Sequence, residues 1–234
     1  MKNIVLNIPH SSINGLFDKE LGGWPQNPYF LNNHVQKWTD WYTDMLFSLE
    51  KDYITKVVFP YSRFVCDLEQ LENDEKEKEG QGIVYTRFGG FERKVTDEMK
   101  AKLMAIWKAG QEELLKHIDQ YTILVDCHSF PRELDSCDIC IGYNNDWSYD
   151  ADVVDIIASE FKKSGYSVSF NSPYSNSLTP LAEGQDGFYK SVMIEVNKKV
   201  YLDERIMLLN PNSRQWMRWF GCLERIYDKL HNLD

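Results

Sequence analysis

The hydrophobic positions of this chain alternate between two rhythms. Short β-rich runs occur at residues 4–8, 54–59, 122–127, 138–141, 167–170 and 192–196. Several of them (IVLNI, TILVD, VMIEV) are nearly continuous in apolar residues, the pattern of strands covered on both faces. Between them lie longer stretches with a helical apolar period, at residues 29–49, 97–118, 151–163 and 213–230. The second is the clearest. Thr96 can cap it, Asp97 and Glu98 suit its positive end, and Leu103, Ile106, Leu114 and Ile118 form one apolar stripe. Strands alternating with helices predict an α/β fold, a single-domain three-layer sandwich around a central mixed, largely parallel sheet.

Two segments interrupt the rhythm. Residues 72–79 (ENDEKEKE) end at Gly80 and read as a solvated loop, with lid movement as the functional alternative. Residues 171–187, rich in Ser, Asn, Pro and Gly, read as a second surface loop. Neither looks like a linker, so residues 1–234 are expected to form one domain.

Composition narrows the classes of function. Hydrophobic residues make up 43 % and charged residues 26 % of the 234, which supports a packed core and excludes long disorder. The net charge of −10 argues against nucleic acid or an anionic membrane as partner, while a small acidic substrate needs only one or two local arginines. The N-terminal apolar run stops at Pro9, too short for a secretory signal or a membrane span. The five cysteines (Cys66, Cys127, Cys137, Cys140, Cys222) form no even framework, so a reducing, cytoplasmic setting is expected. Oligomeric state is left open. Cys137 and Cys140 have metal-like or redox-like spacing, but residues three apart on a strand point to opposite faces and would make poor co-ligands.

In open α/β sheets, ligands gather beyond the carboxyl ends of the strands. There the sequence places His10 after the first strand, His128 after the TILVD strand and Glu195 inside VMIEV. A lone histidine at such a position is more often structural. Two of them, with a carboxylate in an apolar strand, point to chemistry. Burial of Glu195 would raise its pKa toward the range a general base needs. Two histidines require a third ligand for an open catalytic zinc site. Asp40 and Asp44, four apart on a predicted helix, offer one, although two solvated acids would give the same pattern. Arg63 can hold an acidic substrate or polarise a carbonyl, with an Arg63–Asp67 structural pair as the plainer reading. Arg87, among aromatics and glycines, is a second candidate for the pocket or for packing. Ser11, Ser12 and Ser129 lack a nucleophile elbow, no phosphate-binding loop is present, and His34, His117 and His231 read as surface residues.

The stretches IPHSS (8–12), TDWYTDMLF (39–47), SRFVCDLE (62–69), VDCHSF (125–130) and IEVNKKVYLDE (194–204) together resemble the N-formylglutamate amidohydrolase family, in the family's order. That family is similar in architecture to zinc carboxypeptidases and cell-wall amidases, so the resemblance implies a phosphorylase/hydrolase-like sandwich. It further implies a zinc ion on His10, His128 and an aspartate, Asp40 with Asp44 as alternate. Glu195 would be the general base, and Arg63, with Arg87 as a second cation, would bind an acidic N-acyl amino acid such as N-formyl-L-glutamate. Glu183-Gly184-Gln185-Asp186-Gly187-Phe188-Tyr189-Lys190 departs from the family's glycine-rich stretch and leaves the substrate open. A carboxypeptidase-like or amidase-like peptidase, or a non-catalytic binding member of the fold, are the alternatives.

Overall fold

A computed structural model describes residues 1–181, 187–210 and 212–233. Along the chain run β1 (Asn3–Ile8), α1 (Pro28–Phe30), a π-helical turn (Leu31–Val35), α2 (Gln36–Trp38), α3 (Thr43–Leu46) and β2 (Ile54–Val58). A 3-10 turn (Glu75–Glu79), β3 (Arg87–Phe88), β4 (Phe91–Glu92), α4 (Asp97–Leu115), β5 (Thr122–Phe130) and β6 (Ile139–Gly142) follow. The last are α5 (Ala151–Lys163), β7 (Val168–Phe170), β8 (Lys190–Asn197), a 3-10 turn (Lys198–Val200), β9 (Leu202–Asp203), β10 (Leu208–Leu209) and α6 (Ser213–His231). By internal packing they form two compact units, taken in turn.

The first unit (residues 1–8, 42–57 and 115–234) carries a six-stranded sheet in the order β2-β1-β5-β8-β6-β7. β1 pairs with β5, β5 with β8 and β6 with β7 in parallel, and β6 meets β8 antiparallel, so the sheet is mixed and largely parallel as expected. Its middle strands are the apolar runs: Ile4, Leu6, Ile123, Leu124, Val192 and Ile194 are fully buried. Each such side chain contributes about 1.5–3 kcal/mol by leaving water. α5 is capped by Asp150, whose side chain accepts from the amides of Asp152 and Val153, and buries Val153, Ile157 and Phe161 on one stripe. α6 buries Trp219, Cys222, Leu223, Ile226 and Leu230 at helical spacing, with the Trp219 ring tilted against Phe161 at a centroid distance of 5.6 Å.

Glu160 ties these two helices together. Its buried carboxylate meets Lys229 at 2.7 Å, Arg225 at 2.9 Å and Lys163 at 3.1 Å. Hydrogen bonding from Lys229 first, then Arg225 and Lys163, holds its pKa at about 2, below the ordinary 4.5. The stabilisation is complete above pH 4.5 and disappears as pH falls through about 2. The three cations are about half exposed, so screening limits the effect to about 1–2 kcal/mol. Glu160→Gln is expected to lower the midpoint of urea unfolding at pH 7 and to flatten the acid limb between pH 4.5 and 2. An acid limb identical to that of the parent protein would remove Glu160 from the account.

The second unit (residues 9–41 and 58–114) packs α4 against Phe59, Cys66, Leu68 and Ile83 through Leu103. Gly110 permits this close approach, because a Cβ there would stand 2.7 Å from Leu68 Cδ1. An aromatic cluster of Trp24, Phe30, Phe64, Tyr85 and Phe88 forms the other half of this core. The buried guanidinium of Arg93 donates to the carbonyls of Leu21, Gly22, Val65 and Tyr85, and so fixes the backbone on either side of the site described below.

Several expectations are corrected. The helix expected over 29–49 is broken: Thr39 is extended, Tyr42 takes φ 62°, and only short helical pieces flank the break. Asp40 lies in that break and Asp44 in the first turn of α3, so the two do not share a helix face. β5 continues to Phe130, which puts His128 inside the strand rather than after it. Residues 75–79 of the expected loop form a 3-10 turn capped by Asp74. Cys137 precedes β6, so strand alternation does not separate it from Cys140; both pack with Phe130 in one cluster. Residues 182–186, which hold the first half of the divergent stretch, lie outside the described residues.

Candidate metal centre

In the second unit the chain leaves Pro9 and presents His10, which is 2 % exposed. The break after α2 brings the Asp40 amide onto the His10 carbonyl at 3.0 Å, and this backbone bond sets the Asp40 side chain beside the imidazole. His10 Nδ1 and Asp40 Oδ2 are 3.7 Å apart, longer than a hydrogen bond. Two donors on one tetrahedral zinc, with bonds of about 2.0–2.2 Å, stand about 3.3–3.6 Å apart. The observed spacing lies just above that range, close enough for a pair of ligands to close on one ion.

The other imidazole nitrogen is fixed by Asp67. Asp67 Oδ1 meets His10 Nε2 at 2.7 Å and accepts from the Glu69 amide at 3.0 Å. Its Oδ2 accepts from the Tyr85 hydroxyl at 2.5 Å and from Arg63 Nη2 at 3.1 Å. All four acceptor positions of the carboxylate are thus taken. Burial works against its charge, but Arg63 and then His10 outweigh it and hold the carboxyl well below the usual range. An ionised carboxylate only accepts, so His10 Nε2 donates to it, and Nδ1 is the nitrogen on the Asp40 side. A carboxylate behind a histidine is the usual outer support of a metal ligand. Burial opposes the charge of Arg63, yet Tyr85, Asp67 and Asp40 keep it a cation.

In the first unit β5 and β8 carry the remaining candidates. Asp126 and His128 are two apart on β5 and face the same side. Asp126 Oδ1 meets His128 Nε2 at 3.1 Å and accepts from Asn7 Nδ2 at 2.9 Å, while Oδ2 accepts from the Leu178 amide at 3.2 Å. Burial again works against the charge of Asp126, and His128 with these donors lowers its pKa. His128 stands directly opposite Glu195 in the β5–β8 register, with strands about 4.8 Å apart. Glu195 is 6 % exposed, among the fully buried Val192, Ile194 and Val196.

His10, Asp40, His128, Glu195 and Arg63 are expected from the sequence, Asp67 only as a partner of Arg63, and Tyr85, Asn7 and Asp126 not at all. Asp126 carries a signal, since a second polar residue two places from His128 shares its strand face. Asn7, polar within IVLNI, carries one too. Arg87 is exposed on β3, while its neighbour Phe88 stacks on Tyr85 at 5.8 Å. Asp44 is half-buried at the start of α3. His34, read as a surface residue, is half-buried against Phe88 and Phe91.

Among solved structures, the chain is similar to an N-formylglutamate amidohydrolase from Ralstonia eutropha JMP134, with a TM-score of 0.77 and 14 % identity over 98 % of this chain and 93 % of that one. A gene product from Agrobacterium tumefaciens aligns with a TM-score of 0.65 and 14 % identity over 99 % of this chain and 92 % of that one. At such identities the likeness speaks for the fold. No curated protein matches. The family model described as N-formylglutamate amidohydrolase matches residues 2–202. That span takes in His10, Asp40, Arg63, His128 and Glu195, and the chain belongs to the N-formylglutamate amidohydrolase family.

Proposed function

We infer that this protein hydrolyses the C–N amide bond of an acidic N-acyl amino acid with one divalent metal ion, zinc. N-formyl-L-glutamate is the substrate of this reading, and formate and L-glutamate are its products. His10, Asp40 and His128 hold the metal, Glu195 is the general base, and residues 1–234 work as one catalytic domain. Arg63 binds the substrate carboxylate or steadies the oxyanion, with Arg87 as a second cation for the substrate.

The observation that carries the reading is the orientation of His10, with Asp67 on one nitrogen and Asp40 3.7 Å from the other. Asp40 is favoured over Asp44 for that reason. Two imidazoles and one carboxylate leave a fourth position open, as catalytic zinc requires.

A bound zinc supplies Lewis acidity, which polarises the scissile carbonyl and draws the pKa of water toward about 7. Glu195 takes the proton of the attacking water and delivers it to the departing nitrogen. Its place inside an apolar strand keeps bulk water from competing for that proton. Arg63 is braced by Asp67 and Tyr85, so its planar fork is oriented before a carboxylate arrives.

A panel of N-formyl amino acids, N-acetyl amino acids and small peptides tests reaction and substrate together. N-formyl-L-glutamate is expected to exceed N-formyl derivatives of neutral amino acids by at least about tenfold in kcat/KM. Cleavage of the peptides alone would move the protein to the metallopeptidases. Metal binding without turnover of any member would make it a binding protein.

A further inference from the structure

The first unit holds a cavity of about 520 Å³, lined by Asp138, Tyr166, Lys199, Arg214, Gln215 and Arg218 among others. Its size is that of a small-molecule pocket, and its charge runs against the rest of the chain, which is −10 overall. Three cations face one carboxylate. Asp138 is already committed: it meets Lys199 at 3.2 Å and accepts from the Ser167 amide and hydroxyl at 2.9 and 2.8 Å. Lys199 also donates to the Ser136 carbonyl. Arg214 and Arg218 are left as a net charge of about +2; among the described residues neither is in an ion pair.

Helix electrostatics work against this arrangement. The two arginines are four apart on α6, so like charges repel along one face. They stand in the first turns of the helix, where cations oppose the macrodipole, and the first turn has no acidic residue to offset them. Arg218 is nevertheless held in place. Its Nε donates to the Tyr166 hydroxyl at 3.2 Å, and its guanidinium lies 4.3 Å from the centroid of that buried ring. An arginine stacked this way presents its fork with little entropy left to lose.

We propose that this cavity binds a small molecule bearing a phosphoryl group, held by Arg214 and Arg218 with Lys199 and Gln215 at its margin. A phosphoryl group carries about −1.5 to −2 at neutral pH, which matches the arginine pair; a single carboxylate would neutralise half of it. The space beyond one phosphoryl group leaves room for an organic body.

The test is titration calorimetry of the full-length protein with ADP, inorganic phosphate and L-glutamate at constant ionic strength. Saturable ADP binding with a Kd below about 1 mM is expected. Arg214→Ser with Arg218→Ser should weaken it at least about tenfold for each arginine removed, with amidase activity unchanged. Gln215→Glu, which places an acid in the cavity without removing a cation, should abolish binding in a chain that keeps its helix. Absence of saturable binding by ADP and phosphate would overturn the proposal. So would affinity unchanged in the variants, which puts the ligand elsewhere, or L-glutamate bound more tightly than phosphate.

Discussion

Glu195→Gln is expected to keep its metal and to lose at least about a thousandfold in kcat on N-formyl-L-glutamate. The substitution preserves size and hydrogen-bonding capacity within β8 but removes the basic oxygen opposite His128. The amide is neutral, so burial at 6 % exposure becomes easier and the fold should not suffer. Metal content by elemental analysis and turnover by formate release, measured on the same preparation, separate the two roles. Retained turnover would exclude Glu195 as the base; lost metal would make it a ligand.

His10→Ala and His128→Ala are expected to take metal content from about one per chain to near zero, with activity falling in step. Each loses a neutral nitrogen donor from a three-ligand set, and the remaining two ligands leave the ion to water. Asp67→Asn separates ligation from support. It leaves His10 and Asp40 in place but removes the charge that holds the imidazole, so metal affinity by competition with a chelator should fall about 10- to 100-fold rather than vanish. Zinc content unaffected in both histidine variants would overturn the site.

The strands and the longer helices were legible because they obey simple periods: apolar runs for β1, β5 and β8, and a 3.6-residue stripe for α5 and α6. The break at residues 39–42 was not. The apolar period of 29–49 continues through it, and the signal for stopping is a tyrosine at φ 62°, which propensity disfavours. That conformation costs on the order of 1–2 kcal/mol and is held by contacts distant in sequence, such as Tyr42 hydroxyl to Met207 carbonyl at 3.1 Å. Backbone cost of this kind gathers at functional sites, and here it sits two residues from Asp40.

The candidate site divides in the same way. His10, His128 and Glu195 announce themselves because polar residues at strand ends, or inside apolar strands, must be paired or used. Asp67 is concealed: its bond to His10 spans 57 residues, while its partner Arg63 is four residues away and supplies a sufficient local explanation. Local pattern shows which residues are unusual, and only tertiary pairing shows which of them meet.

The pairing of β1 with β5 sets a timetable for synthesis. Asn7 bonds to Asp126, 119 residues later in the chain. At about 5–20 residues per second, a ribosome needs about 6–24 seconds to deliver the partner. Throughout that interval IVLNI, destined for the middle of a sheet, can be covered by β2 on one edge but waits for β5 on the other. The second unit's residues 58–114 are made within this wait, before β5 exists. A newborn chain of this protein is therefore a natural client for chaperones that bind short apolar strands, and its yield in a cell should depend on their supply more than its folded stability suggests.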